Sequence, residues 1–315
     1  MRRNGLFSQL TRLLLLALAL LLTCSAALAE TWNLSSCTMD ELLALRQQVD
    51  AAMLDLARTV DRSDATLDGL VWVSNGVEVR INAYEGTATE VVIPAEIDGL
   101  PVTMLHTGVF RDCKTVTRIT LPDTITVIPD EAFSGCSNLV SVNIPRTVTH
   151  IGHWAFKDCN KLQTVTLPEG LVTLSSAAFQ RAEGLSGMLV LPTTLTGLNG
   201  YTFSRCDDLS GIVIQSDLVL GDADMSCSSL ELLYIREGAA VTFGSKSTFE
   251  AGLKVAIIPA SVTSIHEDAF AACNKLVIVT PAGSYAEQYA REHWIVCNTQ
   301  DYDQYVAEYE ALLAQ

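Results

Sequence analysis

The chain has 315 residues, a formal net charge of −16 and a hydrophobic fraction of 49%. Acidity of that extent opposes association with nucleic acid or an anionic membrane surface.

Residues 1–29 read as a secretory signal peptide. Arg2, Arg3 and Arg12 precede an apolar run from Leu13 to Leu22, and Ala27-Leu28-Ala29 offers small residues for cleavage before Glu30. That order of charge, apolar run and small residues marks export, and the run is too short to anchor the chain across a bilayer. Leu21-Leu22-Thr23-Cys24 offers a weaker lipoprotein alternative. Cleavage after Ala29 removes three positive charges and no negative ones, so the net charge goes from −16 to −19. No second run spans a membrane, so the mature chain is expected to be secreted or held at the cell surface.

Residues 30–66 form an N-terminal amphipathic segment, with a helix expected over 31–62. Thr38 and Glu41 match a capping box, and Leu42, Leu45, Val49, Met53, Leu56 and Val60 recur at helical spacing. Residues 67–87 read as a hairpin cap. Val71, Trp72 and Val73 precede Ser74-Asn75-Gly76, and Val77, Val79 and Ile81 follow it, the pattern of a tight turn between paired strands.

From 88 to 281 the sequence repeats. Phe110, Phe133, Phe156, Phe179 and Phe203 are spaced by 23, 23, 23 and 24 residues, Phe249 lies 46 beyond Phe203, and Phe270 follows 21 later. Cys113, Cys136, Cys159, Cys206 and Cys273 each stand three residues after a Phe; Val116, Leu139, Leu162, Leu185, Leu209 and Leu276 stand six after one. A fixed period in the twenties marks stacked units that share a core. These Phe and Cys columns are its expected structural core. Each strand is expected to end at a Pro (94, 122, 145, 168, 192 and 259), which lacks the amide needed to continue pairing. A buried, reduced cysteine column is favoured over disulfides, because a repeat position that points inward uses Cys as a small apolar group and disulfide torsions are demanding. Cys227 fits the same column after a one-residue deletion. Cys37 and Cys297 lie outside the repeats and pair only if the two ends meet.

The segment Ala132-Phe133-Ser134-Gly135-Cys136-Ser137-Asn138-Leu139-Val140-Ser141-Val142-Asn143-Ile144-Pro145 resembles the BspA-like leucine-rich repeats of bacterial surface and secreted proteins, over roughly 190 residues. The resemblance implies an α/β leucine-rich-repeat solenoid of about eight coils of 21–24 residues. It further implies a non-enzymatic, adhesin-like binding protein whose repeat surface recognises host or neighbouring-cell proteins. Residues 282–297 resemble the helical C-terminal cap of that family, and 298–315 form an acidic tail with Tyr302, Tyr305, Tyr309, Leu312 and Leu313 near helical spacing. Departures lie in the middle: Gln215 and Arg236 replace Pro, Met225 stands near a missing Phe, and Ala182 and Gly252 replace Cys. Less regular coils are expected there. A scaffold self-associating through the N-terminal helix, and an enzyme accessory domain, remain as alternatives; oligomeric state is left open.

No catalytic residue, metal site or cofactor is assigned. His150 and His153 form H-x-x-H in a turn, His106 and His266 share another turn position, and His293 is expected within the terminal helix. None has the ligand spacing or nucleophile context of a catalytic motif. What remains is the outward strand face. Alternation places there Arg118 and Thr120, Ser141 and Asn143, then Thr164 and Thr166, all polar. The later pairs, Gly211 and Val213, Leu232 and Tyr234, Val255 and Ile257, Ile278 and Thr280, are largely apolar. Such a stripe is either covered by the terminal helix or tail, or is a protein-binding site centred on Leu232, Tyr234, Val255 and Ile257.

Overall fold

The computed structural model describes residues 69–221, 224–244 and 249–314. The expected signal peptide, the N-terminal helix and Cys37 lie outside the described residues. The chain divides into two compact units, Met1–Arg62 with Val73–Val77, and Ser63–Trp72 with Glu78–Gln315. The described part of the first is the Val73–Val77 turn. There the Gly76 amide donates to Ser74 Oγ at 3.0 Å, the Val77 amide donates to Asn75 Oδ1 at 2.9 Å, and Gly76 adopts φ 83°. Side-chain oxygens thus take the amides that a tight turn leaves over.

The second unit is a parallel β-solenoid of about nine turns. Its main strands are β1 (Glu90–Val92), β2 (Arg118–Thr120), β3 (Ser141–Asn143), β4 (Gly187–Val190), β5 (Leu209–Ile214), β6 (Leu232–Ile235), β7 (Val255–Ile257), β8 (Val277–Val279) and β9 (Val296–Asn298). Helices α1 (Tyr285–Glu292) and α2 (Tyr302–Leu313) flank β9. Strands β1 to β3 form one sheet and β4 to β9 a second, each in chain order. Registers stay in step: Glu90, Arg118 and Ser141 align, as do Gly211, Leu232, Val255, Val277 and Val296. Between the sheets, Thr164 makes only an isolated bridge to Ser141. Two-residue strands such as Val127–Ile128 and His150–Ile151 pair along a second flank.

The repeating aromatic residues stack. Phe110, Phe133, Phe156, Phe179 and Phe203 are all buried, with successive ring centroids 5.6, 5.0, 4.9 and 5.6 Å apart and planes within 23°. Tyr84 extends the file at one end, 5.1 Å from Phe110. A second file joins Phe249 and Phe270 at 5.2 Å and reaches Tyr289 of α1 at 6.1 Å. Between the files stands Met225, fully buried and bridged to Phe249; its flexible thioether fills the gap that the absent ring leaves. Burying each ring stabilises the stack by roughly 1.5–3 kcal/mol, and no single coil can do so alone.

The cysteine column adds polar closure. Cys136, Cys159, Cys206 and Cys227 donate their thiol hydrogens to the carbonyls of Phe110, Phe133, Phe179 and Phe203 at 3.0–3.2 Å. Cys273 donates to the Glu250 carbonyl at 3.3 Å. These thiols are free. Burial pushes the Cys136 thiol up to about 12 and raises Cys159 and Cys206 as well.

The turn that carries each Phe forms a hydrogen-bonded ridge. Gly108, Glu131, Trp154 and Ala177 donate their amides to the carbonyls of Asp130, His153, Ser176 and Gly200. The chain adopts positive φ in this column, at Gly108 (65°), Glu131 (56°), Trp154 (56°), Ala177 (56°) and Tyr201 (66°). Only Gly meets that requirement without steric cost.

At the C-terminal end, Ser284 caps α1 by accepting the Glu287 amide at 3.1 Å, and Glu287 accepts the Gly283 amide at 2.6 Å. Ala286, Tyr289 and Ala290 form the buried face of α1. Among the described residues no helix is long and apolar enough to cross a membrane.

Candidate ligand-binding face

The outward strand positions change character where the two sheets part. On β1 to β3 they are polar. Arg118 bonds Ser141 Oγ at 3.0 Å and lies 3.7 Å from Glu90, while the Asn143 amide accepts from Leu121 N–H at 2.7 Å and donates to Leu121 O at 3.1 Å. A comparable side-chain chain replaces the missing prolines further on: Arg236 donates to Gln215 Oε1, and Gln215 donates to the Leu191 carbonyl, both at 3.1 Å.

From β4 onward the outward row is apolar. Val213, Tyr234, Ile257 and Val279 form the centre of a separate hydrophobic cluster, with Met188, Val190, Leu232, Val255 and Val277 around it. Two positions differ from the sequence expectation. Ile278 belongs to the inner core, and Thr280 is fully buried with its hydroxyl 2.7 Å from Ser284 Oγ. Val277 and Val279 take the outward places. The cause is a shortened coil: the outward row begins one residue after Leu276, against two after Leu253.

The apolar row is covered. Helix α2 lays Tyr302, Tyr305, Val306, Tyr309 and Leu313 against it. Tyr309 stacks on Tyr234 at 5.5 Å. Glu310 receives Tyr234 Oη at 2.9 Å and the Arg236 guanidinium at 3.1 Å, and Tyr302 donates to Glu237. Burial, and then the hydrogen bond to Glu310, raises the Tyr234 phenol above its ordinary range; burial and Glu237 do the same to Tyr302. The four residues considered as an open binding stripe are therefore not an open surface: Tyr234 and Ile257 are fully buried, and Leu232 and Val255 are half-buried. The acidic tail supplied the apolar face that the stripe required.

Beside this covered region the sheets leave a cleft of about 840 Å³. Ile144, Val165, Met188 and Val190 give it apolar walls, and Arg146 and Glu169 stand among its lining residues with opposite charge. Met188 and Val190 thus belong both to the cleft and to the edge of the α2-covered cluster. Its origin is a local change of phase. From the Leu column to the outward row takes three positions in β4 (Leu185 to Met188), against two in the next coil (Leu209 to Gly211), and the β4–β5 register shifts at Gly187, which has φ 79°. The coil at 164–166 therefore does not continue into β4, and Val165, in line with the buried Ile119 and Val142, is only half-buried. The sequence signal for this is the spacing of Pro168 and Pro192, 24 residues against 23 for Pro145 and Pro168.

The histidines do not converge. His150 lies on a two-residue strand with Nε2 3.4 Å from Ser175 Oγ, and burial lowers its pKa. His293, the residue that caps the C-terminal end of α1, donates from Nδ1 to Tyr289 O, 2.9 Å away. His266, Glu267 and Asp268 bring one ligand atom each within 4.8 Å of one another, but His266 Nδ1 already accepts the Asp268 amide at 3.1 Å. That leaves surface carboxylates, which are common without a metal.

Comparison with known proteins agrees with this architecture. The family of the BspA type leucine rich repeat region matches in six copies, over residues 103–223 and 188–277, more than half of the chain. A leucine-rich-repeat protein of T. pallidum (TpLRR) is similar in structure with TM-score 0.53 and 22% identity, covering 75% of this chain and 98% of that one. A leucine-rich-repeat protein from Bacteroides ovatus is similar with TM-score 0.50 and 22% identity, covering 74% of this chain and 67% of that one. Comparison with curated proteins gave no match. With its stacked Phe column, parallel strands and matched repeats, the chain belongs to the BspA-type leucine-rich-repeat family.

Proposed function

We propose that this is a non-enzymatic, secreted or cell-surface binding protein that engages a host or neighbouring-cell protein through its strand face, anchored at the cleft beside Val165. The observation that carries this reading is the parting of the sheets, which opens about 840 Å³ next to half-buried apolar side chains. That volume falls within the roughly 300–1,000 Å³ of ligand sites that combine apolar walls with a few polar groups. An apolar side chain projecting from an extended segment would fill it, with Arg146 and Glu169 fixing the polar groups on either side. Repeat proteins of this family are surface-type binding proteins, which supports a protein ligand. The acidic chain disfavours nucleic acid. In this reading Leu232, Tyr234, Val255 and Ile257 seat α2, and a partner reaches them only where α2 is displaced.

The test is a titration of the immobilised chain with purified extracellular-matrix and bacterial surface proteins, read by biolayer interferometry. The expected result is a saturable ligand whose affinity falls at least tenfold in Val165→Arg and in Glu169→Arg, with only a small drop in thermal midpoint for the second, whose carboxylate accepts the exposed Thr193 amide and hydroxyl at 3.1 and 2.7 Å. A ligand held equally well by both variants, or no saturable ligand across the panel, would overturn the cleft as the anchoring site.

A further inference from the structure

We infer that helix α2 regulates the cleft: the seated helix holds the cleft wall in its receptive shape, so that filling the cleft and seating α2 favour each other. This inference rests on the cleft being the anchoring site. Two observations join the two places. Met188 and Val190 of β4 line the cleft and also pack against the buried cluster that α2 covers. In addition, an unbroken line of polar contacts runs from the helix to the end of β4. Glu310 accepts from the Arg236 guanidinium, Arg236 donates to Gln215 Oε1, and Gln215 Nε2 donates to the Leu191 carbonyl, each at 3.1 Å. Leu191 follows Val190 directly, and its amide is held by Val213 O at 2.9 Å.

Coupling of this kind needs an element with two states that offer the second site different contacts. Helix α2 is that element. Its 12 residues depend on the sheet beneath them for a stable helix. Its side chains are tied to that sheet through Glu310, which meets Tyr234 and Arg236, and through Tyr302, which donates to Glu237. With α2 seated, Arg236 is fixed from both sides, by Glu310 and by Gln215. Met188 then abuts a closed apolar surface and stays in the cleft wall. With α2 lifted, Val213, Tyr234, Ile257 and Val279 meet water. Met188, half-buried, unbranched and adaptable, turns over that surface and leaves the wall, because covering apolar area is favourable. Arg236 loses its carboxylate at the same time, and Gln215 is no longer held. By reciprocity, an occupant that keeps Met188 in the wall steadies α2 by the factor that α2 adds to its affinity.

Hydrogen exchange of the full chain, followed by mass spectrometry with no ligand present, tests the coupling. Val165→Trp places an indole at the cleft wall as a tethered stand-in for a ligand side chain. Amides across 302–314 should then exchange more slowly than in the parent by about fivefold or more. Val127→Trp adds the same ring at an exposed position on the second flank and should leave α2 unchanged. In the reverse direction, Glu310→Gln weakens the hold on Arg236 and should accelerate exchange across 186–192, with 118–121 unaffected. Gln215→Leu, outside both α2 and the cleft lining, should blunt that response. The inference is overturned if α2 exchanges as fast in Val165→Trp as in the parent, if Val127→Trp slows it equally, or if Glu310→Gln leaves 186–192 unchanged. A response undiminished in Gln215→Leu overturns the polar line as its carrier. Failure of the protein panel to yield a ligand removes the anchoring role alone, and unchanged exchange removes the coupling alone.

Discussion

Phe156 lies between two rings, at 5.0 and 4.9 Å, and exposes none of its surface. Phe156→Ala should therefore destabilise the fold by about 3–5 kcal/mol, because the neighbouring rings are fixed by their own coils and cannot collapse into the void. Urea denaturation measures this, and a loss below about 1 kcal/mol would mean that the coils relax freely. The cysteines make a pH prediction. Folding raises the Cys136 thiol from the ordinary 9.0 to about 12, mainly by burial. The folded chain then holds a proton that the unfolded chain releases, so the stabilisation is complete below about pH 9 and is lost progressively as pH rises towards 12. Tyr289, raised to about 12, acts in the same direction. Thermal midpoints between pH 8 and 11 should fall, and Cys136→Ala should flatten the slope. A midpoint independent of pH across that range would contradict the buried column. Same-type residues at one spacing make such columns easy to read from sequence. The turn column was not legible that way, since it holds Gly108, Glu131, Trp154, Ala177 and Tyr201, which share a backbone conformation and no side-chain type.

At the scale of elements, α2 is the informative case. A helix of 12 residues is marginal in water without tertiary packing, and here Tyr302, Tyr309 and Leu313 bury against strands β5 to β8. Removing residues 300–315 should uncover Val213, Tyr234, Ile257 and Val279 together. The truncated chain should bind a hydrophobic dye such as ANS several-fold more strongly and lose amide protection on β5 to β7. Unchanged dye binding would show that the apolar row closes by itself. Tyr234→Phe is the finer probe. It deletes the bond to Glu310 but keeps the stack on Tyr309, and should cost about 1 kcal/mol by denaturant unfolding. Sequence alternation showed that the later coils present an apolar row, either covered by the terminal helix or tail or open to a protein partner. It could not show which segment, because the tyrosines of the tail are equally consistent with a frayed end. The exact outward set was misread by one residue at β8, and Met188 and Val190 were missed at β4, for a common reason. Counting from the Leu column assumes a constant distance to the strand, and that distance is one residue shorter at Leu276 and one longer at Leu185. The cleft arises from the second of these irregularities, so a regular repeat model of the sequence hides it.

For the solenoid taken whole, the period alone identifies the architecture, because no compact single-core fold requires identical residues every 23 positions. What the period does not reveal is how evenly stability is shared along the stack. A repeat protein is held by nearest-neighbour interfaces, and these are not uniform here. The aromatic file runs unbroken from Tyr84 to Phe203, is interrupted at Met225, and resumes through Phe243, Phe249 and Phe270 to Tyr289. The main sheet is interrupted elsewhere, between the coil at 164–166 and β4. Because the two breaks fall on different coils, the Phe file bridges the break in the sheet, while β4 to β7 pair continuously past the break in the file. Local opening should therefore couple strongly through Phe156, Phe179 and Phe203 and weakly across Met225. Hydrogen exchange followed by mass spectrometry on Phe156→Ala should show faster exchange in the turns around residues 133, 156, 179 and 203, with much smaller change around 249 and 270. Phe270→Ala should show the converse. If either substitution accelerates exchange equally in all coils, the stack opens as a single unit and the break at Met225 has no energetic meaning.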